Sequence, residues 1–324
     1  MQRVKAKAHS NIALIKYWGK RDESLILPHN SSLSLTLDKF YTITETEFIG
    51  GESDIFILDG EEEKGEELKK ISNFIDIFRN LAKSRKRVKV QSKNYFPTAA
   101  GLASSASGYA CLAGCLNRLF GLNYSLEDLS KLARKGSGSA TRSVYGGLVE
   151  WQKGEDDDSS KAARIDKADW DIGMLAIIVD PRKKHTSSRI GMSQTVKTCP
   201  FYPAWVESAK EDLAKMKVAI KNRDLIQIGQ IAEFSALKMH ATMMATDPSI
   251  IYLQDISLRI IERIKELRSN GILAYFTIDA GPNIKVITDS VNQEKVKEAL
   301  KDIISPDRMI YSKSGPDLII LEEE

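Results

Sequence analysis

The segment Pro97-Thr98-Ala99-Ala100-Gly101-Leu102-Ala103-Ser104-Ser105-Ala106-Ser107-Gly108 sets three serines beside two glycines, with no charge and little bulk. Small residues let a ligand lie directly against the backbone. Tyr109, Leu112, Ala113, Leu116, Leu119 and Phe120 then recur at three-, four- and seven-residue spacing, so an amphipathic helix starts at this loop. A helix start offers free N–H groups and the positive end of the dipole, and so suits anions, phosphate above all. The same pattern also describes a tight helix entry packed on a strand. It needs partners elsewhere in the chain before it means a site.

Five other segments supply such partners. Asn11-Ile12-Ala13-Leu14-Ile15-Lys16-Tyr17-Trp18-Gly19-Lys20-Arg21-Asp22 crowds three cations and two aromatics around one glycine, which suits a multiply charged anion. Pro28-His29-Asn30-Ser31-Ser32-Leu33-Ser34 follows, with hydroxyls and an amide that line a pocket or cap a turn. Lys135-Gly136-Ser137-Gly138-Ser139-Ala140-Thr141-Arg142-Ser143 is a second small-residue loop, and the planar fork of Arg142 matches a carboxylate or phosphate. Asp180 to Met192 gathers more cations and hydroxyls, among them Ser188 and Arg189, and reads equally as a basic interdomain linker. In Thr277-Ile278-Asp279-Ala280-Gly281-Pro282-Asn283 a carboxylate ends an apolar strand, either as a turn residue or at a pocket edge. Set among the cations above, Asp279 stays ionised. It is then a weak base for an alcohol, and position and field must supply much of its effect.

Other chemistries lack support. The four histidines show no metal spacing, and no nucleophile elbow, Walker A loop or strand-linked GxGxxG occurs. The acidic run from Gly154 to Lys161 reads as a solvated hairpin tip, and no metal ligands are assigned. Cys111 and Cys115 lie four apart on one helix as small apolar residues; Cys199 precedes Pro200 in an expected loop, and whether its thiol bridges two subunits stays open. A net charge of +3, from 47 basic and 44 acidic residues, gives no reason to expect nucleic acid. The absence of a long apolar run or signal-peptide core points away from a membrane and towards the cytoplasm.

At 324 residues the chain exceeds the usual size of one core, so two domains are expected. Periodicity predicts strands at 3–8, 33–37, 41–48, 54–58, 87–92, 144–151 and 172–180, and helices at 66–83, 103–120 and 125–135. Helices then dominate from 203 to 245 and over 250–269, the last stopping at Asn270-Gly271. Strands 273–278, 284–288 and 317–321 and a helix at 291–303 complete an α+β pattern with an antiparallel pair and helices on one side.

Taken together, NIALIKYWGKRD at 11–22, FPTAAGLASSASGYA at 96–110, RKGSGSATRSVYGGLVEW at 134–151 and IDAGPN at 278–283 resemble the GHMP small-molecule kinase superfamily and, within it, the diphosphomevalonate decarboxylase family. The resemblance runs almost the full length. It implies an N-terminal domain like the second domain of ribosomal protein S5 over 1–185, and a ferredoxin-like domain over 186–324. The implied reaction takes (R)-5-diphosphomevalonate and ATP, with Mg²⁺, to isopentenyl diphosphate, ADP, phosphate and carbon dioxide. It also implies a homodimer. The implied catalytic residues are Asp279, Arg142 and Lys16. Asn11, Tyr17, Trp18, Gly19 and Lys20 lie against the substrate, as do Ser137, Gly138, Ser139, Ala140 and Thr141. Arg142 takes its carboxylate, and Ser188 and Arg189 its diphosphate. Ala103, Ser104, Ser105 and Ser107 cradle the ATP phosphates, with Lys69 as a further contact.

The nearest alternatives are a mevalonate 5-phosphate decarboxylase and a mevalonate 3-kinase that stops after phosphorylation. A non-catalytic ATP- or metabolite-binding regulator on the same fold is the remaining one; it would be marked by loss of Asp279 or of the serine loop, and both are present.

Overall fold

The structure is a computed structural model that describes residues 3–96, 104–180, 182 and 186–323. In chain order the first part holds β1 (Arg3–Ile15), β2 (Lys20–Asp22), β3 (Leu27–Pro28), β4 (Ser32–Ile49), β5 (Ile55–Leu58), β6 (Glu61–Glu63), α1 (Gly65–Leu81), β7 (Arg87–Tyr95), α2 (Ser104–Leu119) and α3 (Leu126–Arg134). A 3-10 turn, Gly138–Val144, leads into β8 (Leu148–Trp151), β9 (Ala162–Asp166) and β10 (Gly173–Ile177). There follow α4 (Ser188–Thr198), α5 (Tyr202–Lys221), α6 (Leu225–Met244), α7 (Asp255–Ser269), β11 (Tyr275–Ile278), β12 (Ile284–Thr288), α8 (Asn292–Leu300), β13 (Met309–Lys313) and β14 (Ile319–Glu323).

The spine of the first sheet is β4. The two strands expected at 33–37 and 41–48 are one, because Asp38 between them is satisfied in place: its carboxylate accepts from Ser312 Oγ at 2.8 Å and Lys313 N at 2.9 Å. β4 pairs along its length with β1, and on its other side with β7 beyond Tyr41 and with β8 before Leu35. The path runs β14-β1-β4-β7-β5-β6, with β8 and β9 branching from β4. Alternate residues Val4, Ala6, Ala8, Val88 and Val90 bury one face under α1, α2 and α3. Cys111 and Cys115 lie inside that layer as free thiols, and α3 starts on a serine cap, Ser125 Oγ accepting from Asp128 N.

The second sheet has four antiparallel strands, ordered β11-β12-β10-β13. The expected antiparallel pair is its β11–β12 edge. Helices cover both faces rather than one, because the period-2 alternation is apolar on both sides. Leu175, Ile177, Phe276, Ile278, Ile284 and Val286 face α7 and α8. Met174, Ala176, Tyr275 and Ile287 face the other way, onto α5 and α6, whose far sides meet Ile12, Leu14, Leu33 and Leu35 of the first sheet. The α5–α6 pair is therefore a wedge between the two sheets. Gly229 lets α6 close onto β11: a Cβ there would lie 2.2 Å from the Tyr275 ring. Cys199 is buried at the end of α4 beside Trp18 and Tyr202, not exposed in a loop.

Candidate functional site

The pleat of β11 and β12 decides which side chains reach the cleft. Thr277 and Lys285 are direct cross-strand partners, and both lie on the face turned to the wedge and the first sheet. Thr277 Oγ1 reaches the Ala13 carbonyl at 3.4 Å. Asp279, two residues further on, leaves β11 on the same face and meets the end of β1. There Lys16 Nζ lies 2.6 Å from Asp279 Oδ1, and Lys285 Nζ lies 3.1 Å from Oδ2. The Lys16 backbone is fixed on both sides: its N–H donates to Ser235 Oγ at 3.1 Å and its carbonyl accepts from Asn30 Nδ2 at 2.9 Å.

Arg142 comes to the same place from the 3-10 turn. Nε donates to Ser34 Oγ at 3.0 Å and Asn11 Oδ1 at 3.2 Å, and Nη1 donates to Ser32 Oγ at 2.5 Å. Asn11 in turn donates to the Ser139 carbonyl and to Ser143 Oγ. Three cations thus gather around one carboxylate. Lys16, Lys285 and Arg142 keep only 1%, 5% and 2% exposure, while the Asp279 side chain keeps 38%. The cations stand behind and the carboxylate in front, so Asp279 is the member a ligand reaches first.

Burial would push the Asp279 carboxyl up, but Lys16 and Lys285 override it and hold the group well below the usual carboxylate range. Burial pulls the Lys16 ammonium down to about 8; Lys285 and Arg142 push the same way, and Asp279 opposes them. Arg142 falls by burial to about 10 and stays charged at neutral pH. His240 on α6, pulled by burial to about 4, is neutral there, so its Nε2–H donates to the Asp279 carbonyl at 3.1 Å. The cluster keeps an excess of positive charge, which suits an anionic ligand.

The aromatic pair frames the cleft. Tyr17 meets Trp151 edge-on at 4.8 Å, and a Cβ on Gly138 would strike both. Trp18 Nε1 donates to Thr195 Oγ1 of α4 at 3.0 Å. Its carbonyl accepts from Tyr202 OH at 2.8 Å, and Gly19 turns away at φ +111°, where a Cβ would collide with Tyr202. Ser188 and Arg189 form the first turn of α4, capped by Ser187. Gly191 in that helix lies against the Trp18 ring, and Arg189 acts electrostatically on Tyr17.

Hydroxyls connect the two small-residue loops. Ser105 Oγ lies 3.3 Å from Ser137 Oγ, and Ser137 Oγ lies 3.1 Å from Ser139 Oγ. Ser104 and Ser105 are exposed at the start of α2, whose first turn carries no acidic residue. Ser107 points inward, bonded to Ser10, Thr42 and the Ser104 carbonyl, and ties the helix to the sheet. Ala140 packs into the core, and Thr141 Oγ1 braces the turn on the Gly138 carbonyl. Lys20 pairs with Glu23 at 2.5 Å, and Lys69 lies on the exposed side of α1, 4.0 Å from Glu66. Ala103 and the loop from Pro97 lie outside the described residues. Among the described residues no three His, Cys, Asp or Glu side chains gather into a metal cage.

Lys285, His240 and Ser235 are absent from the sequence expectations as site residues, while Ser32 and Ser34, expected to line a pocket or cap a turn, cradle Arg142. One signal was available for Lys285: a single cation interrupting the apolar run Ile284–Thr288.

Two family models match the chain. A diphosphomevalonate decarboxylase-like N-terminal domain covers residues 8–162, and a mevalonate 5-diphosphate decarboxylase C-terminal domain covers residues 174–318. The diphosphomevalonate decarboxylase of Ganoderma lucidum is 38% identical over 325 residues, spanning 92% of this chain and 80% of the relative. That of Homo sapiens is 40% identical over 310 residues, spanning 88% and 76%. A solved structure of the mevalonate diphosphate decarboxylase from Enterococcus faecalis covers 99% of both chains at 44% identity, with a TM-score of 0.94. A structure of MDDEF in complex with MVAPP, AMPPCP and magnesium gives a TM-score of 0.95, again at 44% identity and 99% of each chain.

Proposed function

Because the chain belongs to the diphosphomevalonate decarboxylase family, we propose that Asp279 meets the tertiary hydroxyl of (R)-5-diphosphomevalonate in the cleft between the two sheets. The protein is an enzyme of the mevalonate pathway on a two-domain GHMP-like fold. It converts that substrate and ATP, with Mg²⁺, to isopentenyl diphosphate, ADP, phosphate and carbon dioxide. The observation that carries the site assignment is the single accessible carboxylate backed by three buried cations.

The chemistry asks for such a site. A tertiary hydroxyl leaves poorly, so its oxygen first takes the terminal phosphoryl group of ATP. The C–O bond then breaks with its electron pair on phosphate, and the C–C pair released with carbon dioxide becomes the alkene. Phosphoryl transfer through a loose transition state depends on positioning and charge more than on a strong base. An ionised Asp279 accepts the hydroxyl hydrogen bond and aims the oxygen. Arg142 holds the substrate carboxylate beside Lys16, lined by Asn11, Tyr17, Trp18, Gly19, Lys20 and the Ser137–Thr141 turn. The first turn of α4, with Ser188 and Arg189, receives the diphosphate at a helix start.

Ser104 and Ser105 stand where α2 begins and, with Ala103 before them in the sequence, receive the ATP phosphates; Ser107 supports them from behind. The donor set fits a hard cation carried on phosphate: exposed hydroxyls of Ser104 and Ser105, which complete a shell supplied mainly by phosphate and water. When bound, Mg²⁺ neutralises phosphate charge. The homodimer and cytoplasmic location implied by the resemblance remain proposals. Ile226, Phe234 and Leu237 are exposed along one side of α6, an apolar stripe a second copy would cover, and light scattering decides it.

The test uses purified protein, ATP and Mg²⁺ with mevalonate, its 5-phosphate or its 5-diphosphate. Phosphate and carbon dioxide are expected together, and best with the diphosphate. ADP formation without carbon dioxide would overturn the decarboxylase reading.

A further inference from the structure

Lys285 is a buried cation in the second sheet. It rises from the second residue of β12, between Ile284 and Val286, which face the opposite core. Its Nζ lies 3.1 Å from Asp279 Oδ2 and 3.3 Å from the Asn283 carbonyl. The Asn283 side chain pins the turn between the two strands, accepting from Val179 N at 2.8 Å and Asp180 N at 3.0 Å. Lys285 therefore stands on a braced hairpin, with little room to swing. Lys16 reaches the other carboxylate oxygen from β1, on the first sheet.

We propose that Lys285 is the positioning residue of Asp279: it fixes the carboxylate plane through Oδ2, so that the remaining lone pairs face the substrate hydroxyl. With Lys16 alone, the carboxylate could pivot about its Cβ–Cγ bond while keeping one ion pair. Two ammonium groups from two sheets, one on each oxygen, remove that freedom. A buried lysine beside another lysine is costly to fold, and an apolar residue would serve the strand better. The positioning role explains its presence. It rests on the decarboxylase reading and adds a residue to it.

Among the described residues the groups facing Asp279 are Lys16 from β1, Lys285 from β12, Arg142 from the 3-10 turn and His240 from α6, the last through the Asp279 carbonyl. Removing Lys285 takes one cation from the carboxylate, so the Asp279 carboxyl moves up. It also removes a like charge from Lys16, so that ammonium moves up from about 8. Both limbs of a pH–rate profile then move to higher pH.

The experiment is steady-state turnover of the full chain with ATP, Mg²⁺ and (R)-5-diphosphomevalonate across pH, comparing wild type, Lys285→Met and Lys285→Arg. Wild-type release of carbon dioxide is measured first and tests the underlying reading by itself. On that active enzyme, Lys285→Met is expected to lower kcat about tenfold or more while the KM for ATP stays within about threefold. Both pH limbs should rise, and Lys285→Arg should recover most of the turnover. Wild-type kcat and unmoved limbs in Lys285→Met would overturn the proposal. So would equal losses in Lys285→Met and Lys285→Arg with no change in pH profile, which mark a packing role alone. Lys285→Gln, which also removes the charge, gives the same readout should the Met variant fail to fold.

Discussion

Asp279 shows how a weak base can still be the residue on which turnover depends. Its neighbours hold it ionised, so it has little appetite for a proton, and what it offers is a fixed negative acceptor at the cleft surface. Asp279→Asn keeps the shape and removes that charge. Turnover is expected to fall at least about 10²-fold, the lower end for a positioned acid–base group. Nucleotide binding should persist, because the start of α2 is built independently of β11; equilibrium binding of an ATP analogue beside a turnover assay checks both. Near-normal turnover would remove Asp279 from the chemistry. Lys16 was legible as a candidate in the sequence from the cations and aromatics crowded around one glycine, Arg142 from its planar fork in a small-residue loop, and Asp279 from its place at the end of an apolar strand. Lys285 was not, since a lysine in Ile-Lys-Val-Ile-Thr reads as the solvent side of a half-exposed strand. Only the wedge of α5 and α6 over that face makes it internal. Ser107 failed in the opposite sense: its type was right for phosphate, but the helix turns its hydroxyl to the sheet.

Among the elements, those with a clear apolar period were readable. α1, α2 and α3 appear within a residue or two of their expected bounds, and α7 ends at Asn270 and Gly271 as expected. α4 escaped because its inner face is Gly191, Met192 and Thr195, which carries almost no apolar pattern, yet it packs on Trp18 and offers Ser188 and Arg189. β9 and β13 escaped because five residues with mixed polarity give too short an alternation. The contact that sets the site is a close helix–strand approach, Gly229 of α6 on Tyr275 of β11. Alanine at 229 gains about 1 kcal/mol in helix propensity over glycine. Its methyl, however, would need the Tyr275 ring to move from 2.2 Å to an ordinary contact, and overpacking of that kind costs about 1–3 kcal/mol. Gly229→Ala is thus expected to lower the denaturant midpoint despite the better helix former. It should also reduce kcat, because β11 carries Thr277 and Asp279. A raised midpoint with full activity would show that the ring yields freely.

For the whole molecule, sequence length and pattern suggest two domains strung one after the other, but two strands cross the expected boundary between 185 and 186. β10 lies before residue 185 and sits inside the second sheet, between β12 and β13. β14, the last strand, returns to pair with β1, from Val4 opposite Glu323 to Lys7 opposite Ile319. The largest shared core joins Ile12, Leu14 and Leu33 to Met216, Ile220, Ala232 and Ile287 through the wedge. Such return connections are invisible to local periodicity, because they depend on which edges remain open after everything else has paired. Neither half can bury its faces alone: without β14 the first sheet exposes the edge of β1, and without β10 the second loses its central link. The chain should therefore melt as one unit despite its size. Calorimetry is expected to show a single transition whose calorimetric and van't Hoff enthalpies agree. Two resolved transitions would mean that each sheet holds its helices without the other. The Lys16–Asp279 pair would then join two separately folding bodies, and the site's geometry would depend on how those bodies dock instead of on one shared core.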